Sequence, residues 1–495
     1  MADPAESSNV LQYASPIAPD QTHFQRALGL VPAIAVNMTQ MCGVGPFLTI
    51  PVIVATMGGP QAMLGWVLGA VLAMADGLVW AELGAAMPGA GGTYLYLREA
   101  FQYRTGMLMP FLFVWTAMIF IPLTMSTGAI GLVQYLGYYY PKLGSTPPVM
   151  SHDWIIIHSS SIAVVVIVLW ALYRNIKAIA VITNLLWIIM IISVGGVILA
   201  SFTHFHASMA FAFPPGAFHM GKQFFGGLGA GLLVAIYDYL GYNTTAYMGD
   251  ELRDPGRVLP KSIIYSIAAM LVIYLAMNIG VLGVLPWQEV AKSTSIGALV
   301  FERTWGIAAA RVFTALIIVT AFASVFTGLL GGSRVPFNAA KDRVFFPIFG
   351  RLHPQLRFPH VALIVMCAIT AIGTLFDLTV VINMLVALLA LVQSIGQIVA
   401  LTVLRHRQPQ LHRPYRMAGY PLPSIIAAIG WGYVYYSSGW KTILWSLGLL
   451  VIGVLGFLIW AKVEGLWPFA PLQIHEEFLR RQERSSQPGS MPTIT

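Results

Sequence analysis

The stretch "MCGVGP", Met41 to Pro46, interrupts the apolar run "ALGLVPAIAVNMTQMCGVGPFLTIPVIVA" that surrounds it. Two glycines and a proline so close together disfavour a continuous helix, yet the run is long enough to cross a bilayer. The composition identifies the solvent as lipid: 57% of the 495 residues are hydrophobic, 9% are charged and the mean hydropathy is +0.75. A soluble domain carries about 25% charged residues. Apolar runs of roughly 20 residues, enough for a ~30 Å hydrocarbon core, recur along the chain. They fall at about 27–54, 61–82, 109–138, 154–172, 179–201, 224–249, 263–285, 308–330, 361–379, 381–404, 422–438 and 442–461. The expected fold class is an all-α polytopic membrane protein of about twelve transmembrane helices. Residues 1–26 and 465–495 are expected to be polar cytoplasmic segments, and no cleavable signal peptide is expected at the start.

The basic residues orient the spans. Arg98, Arg104, Arg257, Lys261, Arg334, Arg351, Arg405, Arg413, Arg480 and many others fall in loops on the side of the termini, whereas the opposite loops carry Lys142, Lys222, Lys292, Arg303 and Lys441. By the positive-inside rule both termini are expected in the cytoplasm of a cell membrane, plasma or bacterial inner. The formal charge of +8 is then loop asymmetry and not a nucleic-acid patch, which would need clustering on one face. Cys42 and Cys367 both lie within spans, so no disulfide framework is implied.

Irregular backbone at membrane depth is tolerated where it is buried in protein or lines a cavity. In many secondary transporters such breaks form the substrate site, and they come in pairs related by an inverted repeat. A second break is present: "YDYLGYNTT", Tyr237 to Thr245, interrupts the sixth span with Asp238, Gly241, Asn243 and two threonines. Five spans separate the two breaks, which gives repeats of 27–201 and 223–405, with 422–461 outside the symmetry. The alternative is that both breaks are packing kinks.

Four further stretches carry a resemblance. "WAELGAAMPGAGGTYLYLREAF" (Trp80–Phe101), "GDELRDPGRVLPKSI" (Gly249–Ile263), "GGSRVPFNAAKDRVFFPIFGRLHP" (Gly331–Pro354) and "HRPYRMAGYPLP" (His412–Pro423) are similar, in order and spacing, to the amino acid–polyamine–organocation (APC) superfamily. The resemblance implies a leucine-transporter-like fold of two inverted five-helix repeats plus two extra helices, moving amino acids or amines by alternating access. The family's Gly-x-Gly-aliphatic-Phe pattern falls on Gly43, Val44, Gly45, Pro46 and Phe47, with valine in place of a frequent hydroxyl and proline in place of the aliphatic residue. Tyr237 falls where relatives often place an aromatic over the substrate. The candidate substrate-binding residues are Met41, Cys42, Gly43, Val44, Gly45, Tyr237, Asp238, Tyr239 and Gly241.

An ionisable group at a span centre costs about 2.5–3.5 kcal/mol on insertion scales and usually faces a cavity or partner. Asp238 is thus a candidate for substrate specificity or coupling; alternatively it caps the second half-helix through the Gly241 or Tyr242 N–H. Asp76 reads equally as a coupling proton carrier or as an interhelical hydrogen-bonding group. Where several relatives carry a lysine on the fifth span, this chain has Met190. Ser324 and Thr327 stand near hydroxyl ligands of sodium-coupled members of the wider fold, although such hydroxyls are commonly interhelical bonders. Glu82, Glu251, Arg253, Asp254 and Arg334 are candidates for a cytoplasmic ion-pair gate, or else form a solvated face.

Other signals fail on context. The "NMT" and "NTT" sequons at Asn37 and Asn243 lie inside spans, and His204 with His206 lacks a third zinc ligand. "GWVLG" in the second span fits helix packing. No catalytic constellation, cofactor motif or metal site is legible. The functions compatible with the sequence are an amino-acid transporter, a polyamine transporter needing a second cavity acid, and a membrane amino-acid sensor. Partners are an amine or amino-acid substrate, membrane lipid and a coupling proton, with no nucleic acid.

Overall fold

The computed structural model describes residues 28–89, 92–145, 147–173, 176–355 and 358–463, so the expected polar segments at 1–26 and 465–495 lie outside the described residues. Among the described residues every regular element is helical, apart from one isolated parallel bridge between Leu28 and Leu252. Eight helices are long and apolar enough to cross a membrane, or nine when the bent pair Leu30–Met41 and Gly45–Met57 counts as one span. Three further apolar helices, Ile176–Thr203, His360–Gly373 and Leu422–Ser437, take the places expected of spans 5, 9 and 11.

The remaining spans are Pro60–Ala86 (span 2), Leu108–Leu136 (span 3), His152–Leu172 (span 4), Lys222–Gly249 (span 6), Pro255–Val284 (span 7), Gly306–Lys341 (span 8, continuing into the short helix Arg334–Lys341), Leu378–Arg407 (span 10) and Trp440–Val463 (span 12). Several extend beyond their apolar cores, because helical hydrogen bonding continues into the interface where hydropathy has already fallen. Span 9 does the opposite. It is expected at 361–379 but ends at Gly373, where the chain turns before span 10 begins at Leu378.

Spans 1 and 6 occupy the middle of the molecule. The second half of span 1 packs on the first half of span 6; spans 2, 7 and 10 pack against this pair, and Thr127 of span 3 and Ser324 of span 8 reach it with their side chains. Small residues allow the close approach. Gly65 and Gly69 of "GWVLG" face span 6, where a Cβ on Gly65 would lie 3.5 Å from the Gly231 carbonyl and one on Gly69 would lie 3.2 Å from the Tyr239 ring. Spans 4 and 12 are peripheral, and side chains such as Val166, Trp170, Val451 and Ile459 point outward. In a lipid solvent that exposed apolar surface is the expected exterior.

Candidate functional site

The first break bends span 1 by 51° between Leu30–Met41 and Gly45–Met57. The Cys42 N–H closes the first half on the Met38 carbonyl at 2.7 Å. Pro46 opens the second half, where a missing N–H and a fixed φ suit the first turn. The Phe47 N–H folds back to the Val44 carbonyl at 3.1 Å. Among the described residues the amides of Gly43, Val44 and Gly45 make no backbone hydrogen bond, so this half-helix start presents donors.

The second break follows Tyr239. The Leu240 N–H bonds the Tyr237 carbonyl at 3.1 Å, and Leu240 itself is extended. Gly241 has φ +117°, a conformation open to glycine, and it lies against Gln40 of span 1. A 3-10 helix, Thr244–Glu251, then continues. Tyr274 of span 7 joins the breaks: its hydroxyl lies 2.8 Å from the Met41 carbonyl and 2.7 Å from the Asp238 carbonyl. Asn37 adds a second link, because its Oδ1 accepts the Thr245 N–H at 3.0 Å.

Asp238 is buried between the two breaks. Its Oδ2 accepts a short hydrogen bond from the Thr49 hydroxyl of span 1. Its Oδ1 has no hydrogen-bond partner and faces Gly45. A Cβ on Gly45 would overlap that oxygen and lie 3.3 Å from the carboxylate carbon and 3.6 Å from the Tyr237 ring, so glycine is what admits the carboxylate here. The expected alternative, a cap on the second half-helix, does not describe this geometry: the carboxylate turns toward span 1, and Asn243 holds the N-cap position of that helix. The Tyr237 hydroxyl meets Thr127 of span 3 at 2.6 Å, and Ser324 of span 8 lies against Gly43.

Not every candidate faces this point. Tyr239 turns away: its ring packs on Trp66 and Tyr274 with centroids 6.4 and 5.1 Å apart, and its hydroxyl donates to the Trp66 carbonyl. Residues two apart on a helix point about 200° apart, so Tyr237 and Tyr239 cannot line one cavity. Met41 and Cys42 are buried, and Met41 contributes its carbonyl to the Tyr274 bridge. Ser324 and Thr327 donate to carbonyls of their own helix, Thr320 and Ala323. Thr49, Thr127 and Tyr274 were not foreseen; in the sequence they read as ordinary helical residues.

Asp76 is fully buried and accepts from the Tyr242 hydroxyl at 2.5 Å, with the Trp80 and Trp431 indoles beside it. It therefore connects span 2 to the second break. Tyr247, which follows the second break, links span 2 to span 10. Its ring packs on Trp80, with centroids 5.6 Å apart, and its hydroxyl lies within 3.5 Å of Thr93 and 3.4 Å of Gln393. The Leu28–Leu252 bridge ties the start of span 1 to the end of span 6.

Of the candidates for the ion-pair gate, Glu82 takes partners other than Arg253 and Arg334. Glu82 is fully buried, and it pairs with Arg405 (2.8 and 2.5 Å) and Arg413 (3.6 Å) instead of Arg253 or Arg334; the Met417 N–H adds a further bond at 2.9 Å. Arg253 and Arg334 are exposed. Asp254 is 3.9 Å from Arg257, and the Glu251 carbonyl is held by Leu28. The loop after span 10 reaches Glu82 first because it folds directly over the end of span 2.

A family model described as "Amino acid permease" matches residues 28–465. The aspartate-proton symporter of Bacillus subtilis (strain 168) is 25% identical over 464 residues, which is 89% of this chain and 85% of that protein. The Asc-type amino acid transporter 1 of Mus musculus is 27% identical over 420 residues, 81% of this chain and 74% of its own length. The branched-chain amino acid permease BcaP of Bacillus subtilis (strain 168) is 24% identical over 425 residues, 82% and 87% of the respective chains.

Proposed function

The chain belongs to the amino acid permease family of the APC superfamily, and on that premise we propose that it is a secondary transporter carrying an amino acid past the breaks of spans 1 and 6 by alternating access. The observation that carries this reading is the buried Asp238 carboxylate, with one oxygen unpartnered beside Gly45 and the free amides of the first break. An α-amino acid offers complementary groups. Its carboxylate accepts from the Gly43, Val44 and Gly45 amides at a half-helix N-terminus, and its ammonium meets Asp238.

The same residues define the substrate class. Thr49, Thr127, Tyr237, Asp238, Tyr274 and Ser324, gathered around Gly43 and Gly45, include no Lys, Arg or His. A second substrate carboxylate would meet Asp238 without a cation, so a neutral side chain is preferred. The chain would differ in this from the relative named for aspartate. Polyamine transport needs a second acid in the cavity, and Asp76 is engaged with Tyr242.

The fold then comprises inverted repeats at 27–201 and 223–405, with both termini in the cytoplasm. Tyr247, Trp80 and the Leu28–Leu252 bridge form the inner closure, which opens as the halves of spans 1 and 6 move. Asp238 and Asp76 are the buried carboxylates available to take up a coupling proton. The test is uptake and counterflow of a labelled amino-acid panel by the purified chain in liposomes, with and without an inward proton gradient. Uptake of neutral amino acids that falls when the gradient is removed supports the reading. Binding without uptake or exchange overturns it in favour of a sensor.

A further inference from the structure

The chain between spans 10 and 11 folds over the end of span 10 and borders an open, shallow cavity of about 320 Å³ lined by Arg405, His406, Pro409, Arg413, Arg416 and Tyr420. No carboxylate lines it. The acid beneath it is Glu82, which is occupied by Arg405, Arg413 and the Met417 N–H. A second acid, Glu99, reaches the same loop through the Gln408 amide at 3.2 Å, and the three guanidiniums still outnumber the two carboxylates. The crowding is felt at Arg413: burial first, and then the charges of Arg405 and Arg416, push its pKa down against the opposing pull of Glu82.

The three arginines have different duties. Arg413 holds the loop together, with its Nη atoms donating to the carbonyls of Leu404, Gln408, Pro409 and Leu411. Arg405 lies 3.9 Å over the Tyr420 ring and gives Nε and Nη2 to Glu82, which leaves its Nη1 edge. Arg416 is exposed and has neither an ion pair nor a side-chain hydrogen bond among the described residues. Immediately beyond the rim, span 11 begins at Leu422. Leu422, Ile425, Ile426 and Ile429 are all exposed there, and their spacing forms one apolar helix face leading away from the cavity.

A positive cavity at an interface, continued by an apolar stripe along a membrane helix, fits a molecule with an anionic head and an apolar tail. We propose that this cavity binds the phosphate of an anionic phospholipid headgroup from the adjacent leaflet, with Arg416 and the outer edge of Arg405 as donors and the Leu422–Ile429 face as the acyl-chain bed. Arg405 also holds Glu82 at the end of span 2, so the bound lipid braces the junction of spans 2, 10 and 11. The site is separate from the breaks of spans 1 and 6.

The test is native mass spectrometry of the purified full chain with phosphatidylglycerol or phosphatidylcholine added. Selective retention of phosphatidylglycerol is expected, weakened about fivefold in R416Q, the effect of losing one basic contact near a membrane surface. R407Q, an exposed neighbour that does not line the cavity, is expected to retain the lipid as the unaltered chain does. Equal retention of the two lipids, or equal losses in R416Q and R407Q, would overturn the proposal. A separate arm adds inorganic phosphate at millimolar concentration to delipidated protein. Arg416-dependent thermal stabilisation by phosphate, with none by phosphatidylglycerol added to the same delipidated protein, would overturn the lipid assignment in favour of a soluble phosphate.

Discussion

Asp238→Asn separates a substrate-binding carboxylate from a structural one, because the two roles predict opposite pairs of results. The replacement is nearly isosteric, and the Asn Oδ1 can still accept from Thr49, so the contact between spans 1 and 6 persists. What disappears is a buried negative charge whose Oδ1 has no partner. Removing such a charge lifts a desolvation penalty, and the ligand-free melting temperature should stay level or rise. The substrate ammonium, in contrast, loses a charge-assisted hydrogen bond of ~1.5–3 kcal/mol, which corresponds to roughly 10- to 150-fold in Kd. The readout is ligand-induced thermal stabilisation at a fixed concentration. At ~100 times the unaltered chain's Kd the ligand contributes ~2.7 kcal/mol; after a roughly 100-fold weakening the same concentration contributes only ~0.4 kcal/mol. An undiminished shift, or a ligand-free protein that melts several degrees lower, would refute the reasoning.

Further substitutions probe the frame around that carboxylate and the ion pairs of Glu82 and Asp254. Gly45→Ala places a Cβ onto the Asp238 carboxylate, so stability should fall by the ~1–3 kcal/mol typical of overpacking, read as a lower melting temperature; Asp238→Ala in the same chain should restore it. Tyr274→Phe leaves the Met41 and Asp238 carbonyls without their shared donor, a loss of ~1–3 kcal/mol in denaturation, and an unchanged stability would show that the bridge does not hold the breaks together. Glu82→Gln strands Arg405 and Arg413 and should cost ~3–5 kcal/mol as a broken buried pair, whereas Asp254→Asn, at an exposed pair, should change stability by ~1 kcal/mol or less.

The spans and both breaks are legible in the sequence because their signals are local: apolar length sets a span, and glycine or proline sets a break. Side-chain partners are not local. Glu82 shares a face with many arginines, and which of them reaches it depends on how the loop at 408–421 folds, a fact that no residue type declares. Asn37 presents itself as a misplaced sequon, yet it holds Thr245 across the gap between the half-helices. Thr49 resembles any membrane threonine bonded back to its own helix. It does reach the Gly45 carbonyl at 3.0 Å, and the same hydroxyl contacts Asp238. One part was available without coordinates: Tyr237 and Tyr239, two apart on a helix, point to opposite sides, so only one of them could face the carboxylate.

Tyr274 shows why reading the breaks as two separate motifs falls short. Each break frees carbonyls that a continuous helix would have consumed, and in a span these need donors from elsewhere in the protein. One hydroxyl, on a helix belonging to neither break, lies within hydrogen-bonding distance of a carbonyl from each. A phenol has a single proton to give, so any movement that favours the Met41 carbonyl weakens the bond to Asp238, and the reverse holds equally. The half-helices of spans 1 and 6 are therefore coupled through span 7 as well as through the Thr49–Asp238 contact. A movement that carries the Asp238 backbone away from Tyr274 therefore frees that hydroxyl for Met41, at the end of the first half of span 1.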